Sequence, residues 1–298
     1  MRPWFVVRLN FSMECGLAIE IIKTCEALHR LVAQLKSDGK TIGVVPTMGA
    51  LHEGHLSLAR QAVSNTDVVI ATIFLNPTQF APGEDLSAYP RPLEADLEKF
   101  EAVGVPYVFV PSNEEIYPPG FSTSVTPPEI SKRLEGEFRR THFAGVATVV
   151  LKLLNLTQAD VGFFGQKDFQ QVTVIKHMVA DLNVPTEIRV CPIVRAQDGL
   201  ALSSRNVYLS EDERAIALSI NRTLDHVEEQ VKSGLRDGFE AITEMRQLLI
   251  DAGVDSIDYA IVADPNTLET VDAIQLPVVA LIAVHVGKTR LIDNRLIE

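Results

Sequence analysis

Cysteine is scarce in this 298-residue chain: Cys15, Cys25 and Cys191 form an odd set with no CxxC spacing and no histidine at a zinc-finger interval. This excludes a disulfide-stapled scaffold and a cysteine-built zinc site, and it is the usage of a reducing compartment, so cytoplasmic localisation is expected. Long apolar runs are missing too. The longest, 277–286 (PVVALIAVHV), is about half of the ~20 residues a membrane-spanning helix requires and reads as a buried strand. The opening stretch, MRPWFVVRLNFSMECG, interrupts its short apolar run at Arg8, Asn10 and Glu14, a poor match to a secretory leader. Positive charge is in deficit: 27 Lys plus Arg stand against 39 Asp plus Glu, a net charge of −12. That balance argues against a broad nucleic-acid surface, which needs Lys and Arg to neutralise phosphates. Neither GxGxxG nor GxxxxGK[ST] occurs, so the two commonest glycine-rich nucleotide loops are absent.

What is present is an alternation. From Thr41 short β-branched runs (TIGVVP, DVVIATIFL, VPYVFVPS, ADVGFFG, TEIRVCPIV) alternate with helix-like stretches (HLSLARQAVSN, PLEADLEKFEAVG, GVATVVLKLLNL, KDFQQVTVIKHMVADL). This is the pattern of parallel strands joined by crossover helices. After Val194 the texture changes to a polar loop, two amphipathic helical segments (210–232 and 239–252) and three closing strand-like runs. The expected architecture is α/β: a Rossmann-like, doubly wound parallel sheet over 19–193 and a smaller mixed α/β domain over 194–298, with 1–18 as an N-terminal extension.

Ligands of open α/β sheets sit beyond the C-terminal strand ends, so chemistry is expected in the loops there. After TIGVVP comes TMGALHEGH, with His52 and His55 three residues apart and Gly49 and Gly54 giving the backbone room. A helix N-terminus offers free N–H groups and a positive dipole to a phosphate, and two imidazoles add hydrogen bonds to it. A zinc-protease reading fails, because the histidines stand at i and i+3 rather than i and i+4. FLNPTQF follows the next strand and presents Asn76 and Gln79, amides suited to hydroxyls and carboxylates, though a plain strand cap explains them equally well. GQKDFQQ follows ADVGFF and carries Lys167, Asp168 and, one helical turn on, Gln171. A lysine there opposes the helix dipole unless an anion binds. LSSRN, in the polar loop after Gly199, supplies Ser203, Ser204 and the guanidinium fork of Arg205 for a phosphate tail, in a loop able to close. Glu94, Asp96 and Glu98 read most simply as a solvated helix face.

PTMGALHEGH, FLNPTQF, YPRPLEADL, THFAGVATVV, FFGQKDFQQ and LSSRN, in this order, closely resemble the pantoate–β-alanine ligase family. HEGH looks like the HIGH signature, and LSSRN like the KMSKS loop, of the nucleotidyltransferases related to class I aminoacyl-tRNA synthetases. The resemblance implies a cytoplasmic homodimer that joins pantoate to β-alanine at the expense of ATP, through a pantoyl adenylate, with Mg²⁺ accompanying ATP and no direct protein ligand to the metal. Carried over residue by residue, Met48, Gly49, Ala50, Leu51, His52, Glu53, Gly54 and His55 line the ATP site, with His55 as proton donor. Gly165, Gln166, Lys167, Asp168, Val194, Leu202, Ser203, Ser204 and Arg205 also contact ATP. His52, His55, Lys167 and Arg205 carry the catalysis; Gln79 and Gln171 grip pantoate, and Gln79 also meets β-alanine. Gln166 departs from the glutamate common in the family, and 1–18 extends beyond its usual start. The alternative is another HxGH enzyme, such as a cytidylyltransferase; no membrane or nucleic-acid partner is expected.

Overall fold

The computed structural model describes residues 19–81, 84 and 86–298; the proposed extension 1–18 lies outside them. In chain order the first part contains β1 (Glu20–Ile22), α1 (Cys25–Ser37), β2 (Ile42–Thr47), α2 (Glu53–Asn65), β3 (Val68–Ile73), α3 (Leu93–Ala102), β4 (Tyr107–Phe109), α4 (Asn113–Ile116), α5 (Glu135–Phe138), α6 (His142–Thr157), β5 (Val161–Gly165), α7 (Phe169–Asp181) and β6 (Glu187–Cys191). The six strands form one parallel sheet in the order β1-β4-β3-β2-β5-β6. Strand alternation feeds two cores. Ile42, Val44 and Ile70 face α1, α6 and α7, whereas Val45, Val69 and Ala71 face α2 and α3. Both faces are covered, which is why these strands read as continuous apolar runs. The expected doubly wound sheet is therefore observed. Its order reverses between β2 and β5, so the topological switch point lies where TMGALHEGH and GQKDFQQ leave the sheet.

The second part contains α8 (Glu211–Lys232), α9 (Gly238–Asp251), β7 (Ser256–Ala263), β8 (Val278–Val286) and β9 (Thr289–Ile297), its strands forming an antiparallel sheet in the order β7-β8-β9. β8 is the longest apolar run, and its two faces serve different cores. Val278, Ala280, Ile282 and Val284 pack on α8 and α9. Val279, Leu281 and Ala283 pack on Ile130, Phe143 and Val174 of the first part. Two elements precede the point where the alternating pattern begins: β1, only three residues long and mostly exposed, and α1, a 13-residue helix whose apolar positions Leu28, Val32 and Leu35 fit one helical face.

Candidate active site

The site begins with the turn after β2. Gly49 (φ 84°) and Ala50 (φ 51°) are both left-handed, and two consecutive residues there fold the chain back sharply toward α2. The turn is held from α3. Asp96, 1% exposed, accepts hydrogen bonds from the N–H groups of Ala50 (2.7 Å) and Leu51 (2.8 Å), and Lys99 Nζ donates to the Leu51 carbonyl (2.7 Å). The solvated-face reading of Asp96 is corrected by this: the carboxylate is buried because it pairs main-chain donors that no strand or helix satisfies. Acids at i and i+2 cannot share one helix face, which was the available signal.

His52 caps α2 by accepting from Gly54 N–H at Nδ1 (3.1 Å), while His55 Nδ1 accepts from His52 N–H (3.3 Å). Here a reciprocal capping box is built from imidazoles. Since each Nδ1 accepts, each neutral ring carries its proton on Nε2. The rings lie 4.1 Å apart between centroids. Burial, with Lys167 nearby, pushes His52 down to about 4, and burial, His52 and Lys167 push His55 down to about 3. Both are neutral Nε2–H donors at pH 7. A Cβ on Gly54 would stand 2.8 Å from His52 Cε1, so this glycine makes room for the imidazole as much as for a ligand.

Beyond β3, Asn76 (1% exposed) is a structural hub rather than a simple cap. Its Oδ1 accepts from Thr78 Oγ1 (2.9 Å) and Tyr117 OH (2.8 Å), and its Nδ2 donates to Gln79 Oε1 (3.1 Å) and the Gly145 carbonyl (3.2 Å). Gln79 Nε2 is left with a weak acceptor, Met48 Sδ (2.9 Å), which a carboxylate or hydroxyl can replace. His142 Nδ1–H donates to the Gln79 carbonyl (2.9 Å), and burial beside Arg139 pushes this ring down to about 4. Sequence reasoning missed His142 and Arg139, although THFAGVATVV contains the histidine.

These segments converge on one cavity of about 240 Å³. Met48, His52, Gly54 and His55 line it from the first loop, Gln79 from the second, and Gly165, Lys167, Asp168 and Gln171 from the third. Val194, Leu202, Ser203, Ser204 and Arg205 close its remaining side, and Phe74, Val146, Val150 and Phe164 form an apolar wall. Lys167 and Asp168 occupy a 3-10 turn (Gln166–Asp168), so Gln171, rather than the lysine, lies in the first turn of α7. Its neighbour Gln170 is structural, its amide spent on Glu135, Ile130 and Arg133 main-chain groups. Ser204 Oγ stands 3.4 Å from Tyr89 OH, bringing the YPRP segment against the LSSRN loop.

Five expected contact residues sit behind or beside the cavity. Gly49, Ala50 and Leu51 shape the turn. Glu53 points outward in a pair with Arg60. Gln166 donates from Nε2 to Asn294 Oδ1 (3.2 Å), a direction that a glutamate could not reproduce when ionised. A second cavity of about 870 Å³ shares Lys167, Asp168, Gln171 and Arg205 with the first, and is lined by Glu135 and Arg139 of the first part and by Tyr259, Arg290 and Asn294 of the second. Glu135 is buried there, paired with Arg290 through both oxygens (2.7 Å each) and with Tyr259 OH (2.7 Å). Among the described residues no cluster of three or more His, Cys, Asp or Glu side chains could hold a metal ion.

The family model for pantoate–β-alanine ligase matches residues 20–296. The chain belongs to this family. A pantothenate synthetase of Rhodopirellula baltica is 49% identical over 280 residues, 93% of this chain and 98% of that one. One from Caldicellulosiruptor bescii is 46% identical over 278 residues, 93% and 99% of the two chains. The crystal structure of the Thermus thermophilus pantothenate synthetase matches with a TM-score of 0.88 at 38% identity, covering 93% of this chain and 99% of that one. A Francisella tularensis pantoate–β-alanine ligase, solved in complex with β,γ-ATP and β-alanine, matches with a TM-score of 0.78 at 38% identity and coverages of 94% and 98%. Membership in the ligase family does not favour the cytidylyltransferase alternative.

Proposed function

We propose that this chain condenses (R)-pantoate with β-alanine in two steps at the β2/β5 switch point, consuming ATP and releasing pyrophosphate and AMP. The observation that carries this reading is the convergence of two neutral imidazoles, two cationic arms and two amides on one cavity with an apolar wall. In the first step a pantoate carboxylate oxygen attacks the α-phosphorus of ATP; the new O–P bond forms as the bond to the β-phosphate breaks, and pyrophosphate leaves. In the second, the β-alanine amine attacks the acyl carbon, the C–O bond to AMP breaks, and a proton leaves the amine.

Two anions meet in the first step, so catalysis consists mainly of holding them in line and offsetting charge. His52 and His55 present Nε2–H donors to the phosphates, while Lys167 and Arg205 carry their negative charge. Gln79 and Gln171 orient pantoate through its hydroxyls and carboxylate without a formal charge that would blunt the nucleophile. Phe74, Val146 and Val150 suit the branched carbon skeleton of pantoate and keep water from the acyl adenylate. Magnesium belongs to this scheme as part of the ATP substrate, where it offsets phosphate charge. We propose further that the boundary near residue 194 divides a nucleotide-binding domain from a closing domain, that the active form is a homodimer, and that it works in the cytoplasm.

Isotope exchange between pyrophosphate and ATP tests the reading: pantoate alone should support it without β-alanine, and the absence of exchange would exclude the adenylate. His55→Ala or Lys167→Ala should slow exchange by about 10²-fold or more, the scale of losing one oxyanion donor. A loss below about threefold would remove either residue from its assigned role.

A further inference from the structure

The two arms assigned to phosphate, the Gln166–Asp168 turn and the 202–205 loop, are separated by more than thirty residues of chain. Each is fastened to one of two neighbouring residues of β9, the turn directly to Asn294 and the loop through Arg195 to Asp293; the two anchors are 1% and 4% exposed. Asn294 Nδ2 donates to the carbonyls of Gln166 (3.0 Å) and Lys167 (2.9 Å), and its Oδ1 accepts from Gln166 Nε2 (3.2 Å). The Asp293 carboxylate holds Arg195 through two contacts (2.6 and 3.1 Å). Arg195 in turn donates to the Gly199 carbonyl (3.2 Å) and forms a bridge with Ala201. Leu202 N–H closes this small hairpin on the Val194 carbonyl (3.0 Å), immediately before Ser203. Asp293 Oδ1 also accepts from Asn294 N–H (2.8 Å), which ties the pair together.

The chemistry of each side chain fits its task. An asparagine amide has two donors for two carbonyls and an acceptor for a third group, and a carboxylate matches a guanidinium fork. Adjacent strand residues point to opposite sides, so one strand reaches two separate segments. β9 pairs with β8 over its whole length, which fixes the two anchors relative to each other.

We infer that Asp293 and Asn294 are positioning residues that set the spacing between Lys167 and Arg205 for the triphosphate. This rests on the two-step reaction proposed above. Only adenylation places a triphosphate between the arms; attack of β-alanine on the adenylate involves AMP as leaving group and needs no such span. Loss of the dyad should therefore separate the half-reactions.

The test compares Asn294→Ala and Asp293→Asn with the parent enzyme in three measurements. Pantoate-dependent pyrophosphate exchange should fall about tenfold or more, on the scale of a misplaced catalytic group. Single-turnover conversion of supplied pantoyl adenylate and β-alanine should stay within about twofold, and calorimetric affinity for ATP should weaken far more than affinity for AMP. Equal losses in both half-reactions, no loss in either, or equal weakening of ATP and AMP would overturn the inference. If burial makes those variants unfold, Asn294→Asp, which keeps the shape but removes the donors, and Arg195→Lys are read in the same assays. Failure of the parent enzyme to exchange pyrophosphate counts against the reaction scheme, and the ATP-to-AMP affinity comparison then still decides the role of the dyad.

Discussion

Two imidazoles that accept hydrogen bonds from the main chain cannot gain a second proton without giving up the cap they form. His52 and His55 are in that position, and burial together with Lys167 depresses both well below the ordinary 6.5. Histidine nitrogen shifts of the ligand-free protein should show both rings as neutral Nε2–H tautomers from pH 7 to 5, with midpoints near 4 and 3. A midpoint near 6.5 in either would contradict the capping geometry. The sign for stability follows. In the unfolded chain these rings, and His142, take up protons below about 6.5 that the folded chain refuses, so unfolding is favoured as pH falls from there toward 4. The catalytic role proposed for them is accordingly the donation of hydrogen bonds from a neutral ring. HEGH announced the two histidines, but only the turn held by Asp96 explains why both Nδ1 atoms face inward. That carboxylate reads as solvated from sequence because the acids around it on α3 are indeed at the surface, and nothing local marks the loop it serves.

α6 shows how an element with no catalytic group of its own shapes the site. Its Gly145 lies so close to the turn Pro77–Gln79 that a Cβ would overlap the Thr78 carbonyl and stand 2.6 Å from Gln79 N. Gly145→Ala should push this turn off the helix, at an overpacking cost of about 1–3 kcal/mol in thermal stability. The KM for pantoate should rise more than that for ATP, because Gln79 moves while the histidine turn does not. An unchanged pantoate KM would mean that the turn accommodates the methyl without moving Gln79. The main strands and helices were legible because strand alternation and crossover helices repeat from Thr41 onward. β1 was not, being short and mostly exposed, and the 3-10 turn under Lys167 reads as helix because its residues carry no breaker. Four of the site's segments were legible as loops following strands or opening the second part. Their mutual distances were not, since those depend on contacts such as Asn294 to the Gln166–Lys167 turn, which join residues more than a hundred positions apart.

The whole molecule is acidic, with a net charge of −12, yet the two cavities described above are lined by Lys167, Arg205, Arg139 and, in the larger, Arg290. Arg139 and Arg290 are held in place by Glu84 and Glu135, which makes them part of the frame between the two sheets. Lys167 and Arg205 both line the smaller cavity, and a local cationic pair within an anionic surface suits the proposed phosphate ligand without inviting nucleic acid. β8 links these features, with one face in the core of the second part and the other against the first. The site therefore depends on how two packed units meet, and its central commitment is chemical: the pantoate carboxylate must bond to the α-phosphorus. Pantoate labelled with heavy oxygen in both carboxylate positions tests this most directly in a full turnover with ATP and β-alanine. The account predicts a single labelled oxygen in each AMP released and none in pyrophosphate; label in pyrophosphate or in inorganic phosphate, with unlabelled AMP, would contradict it.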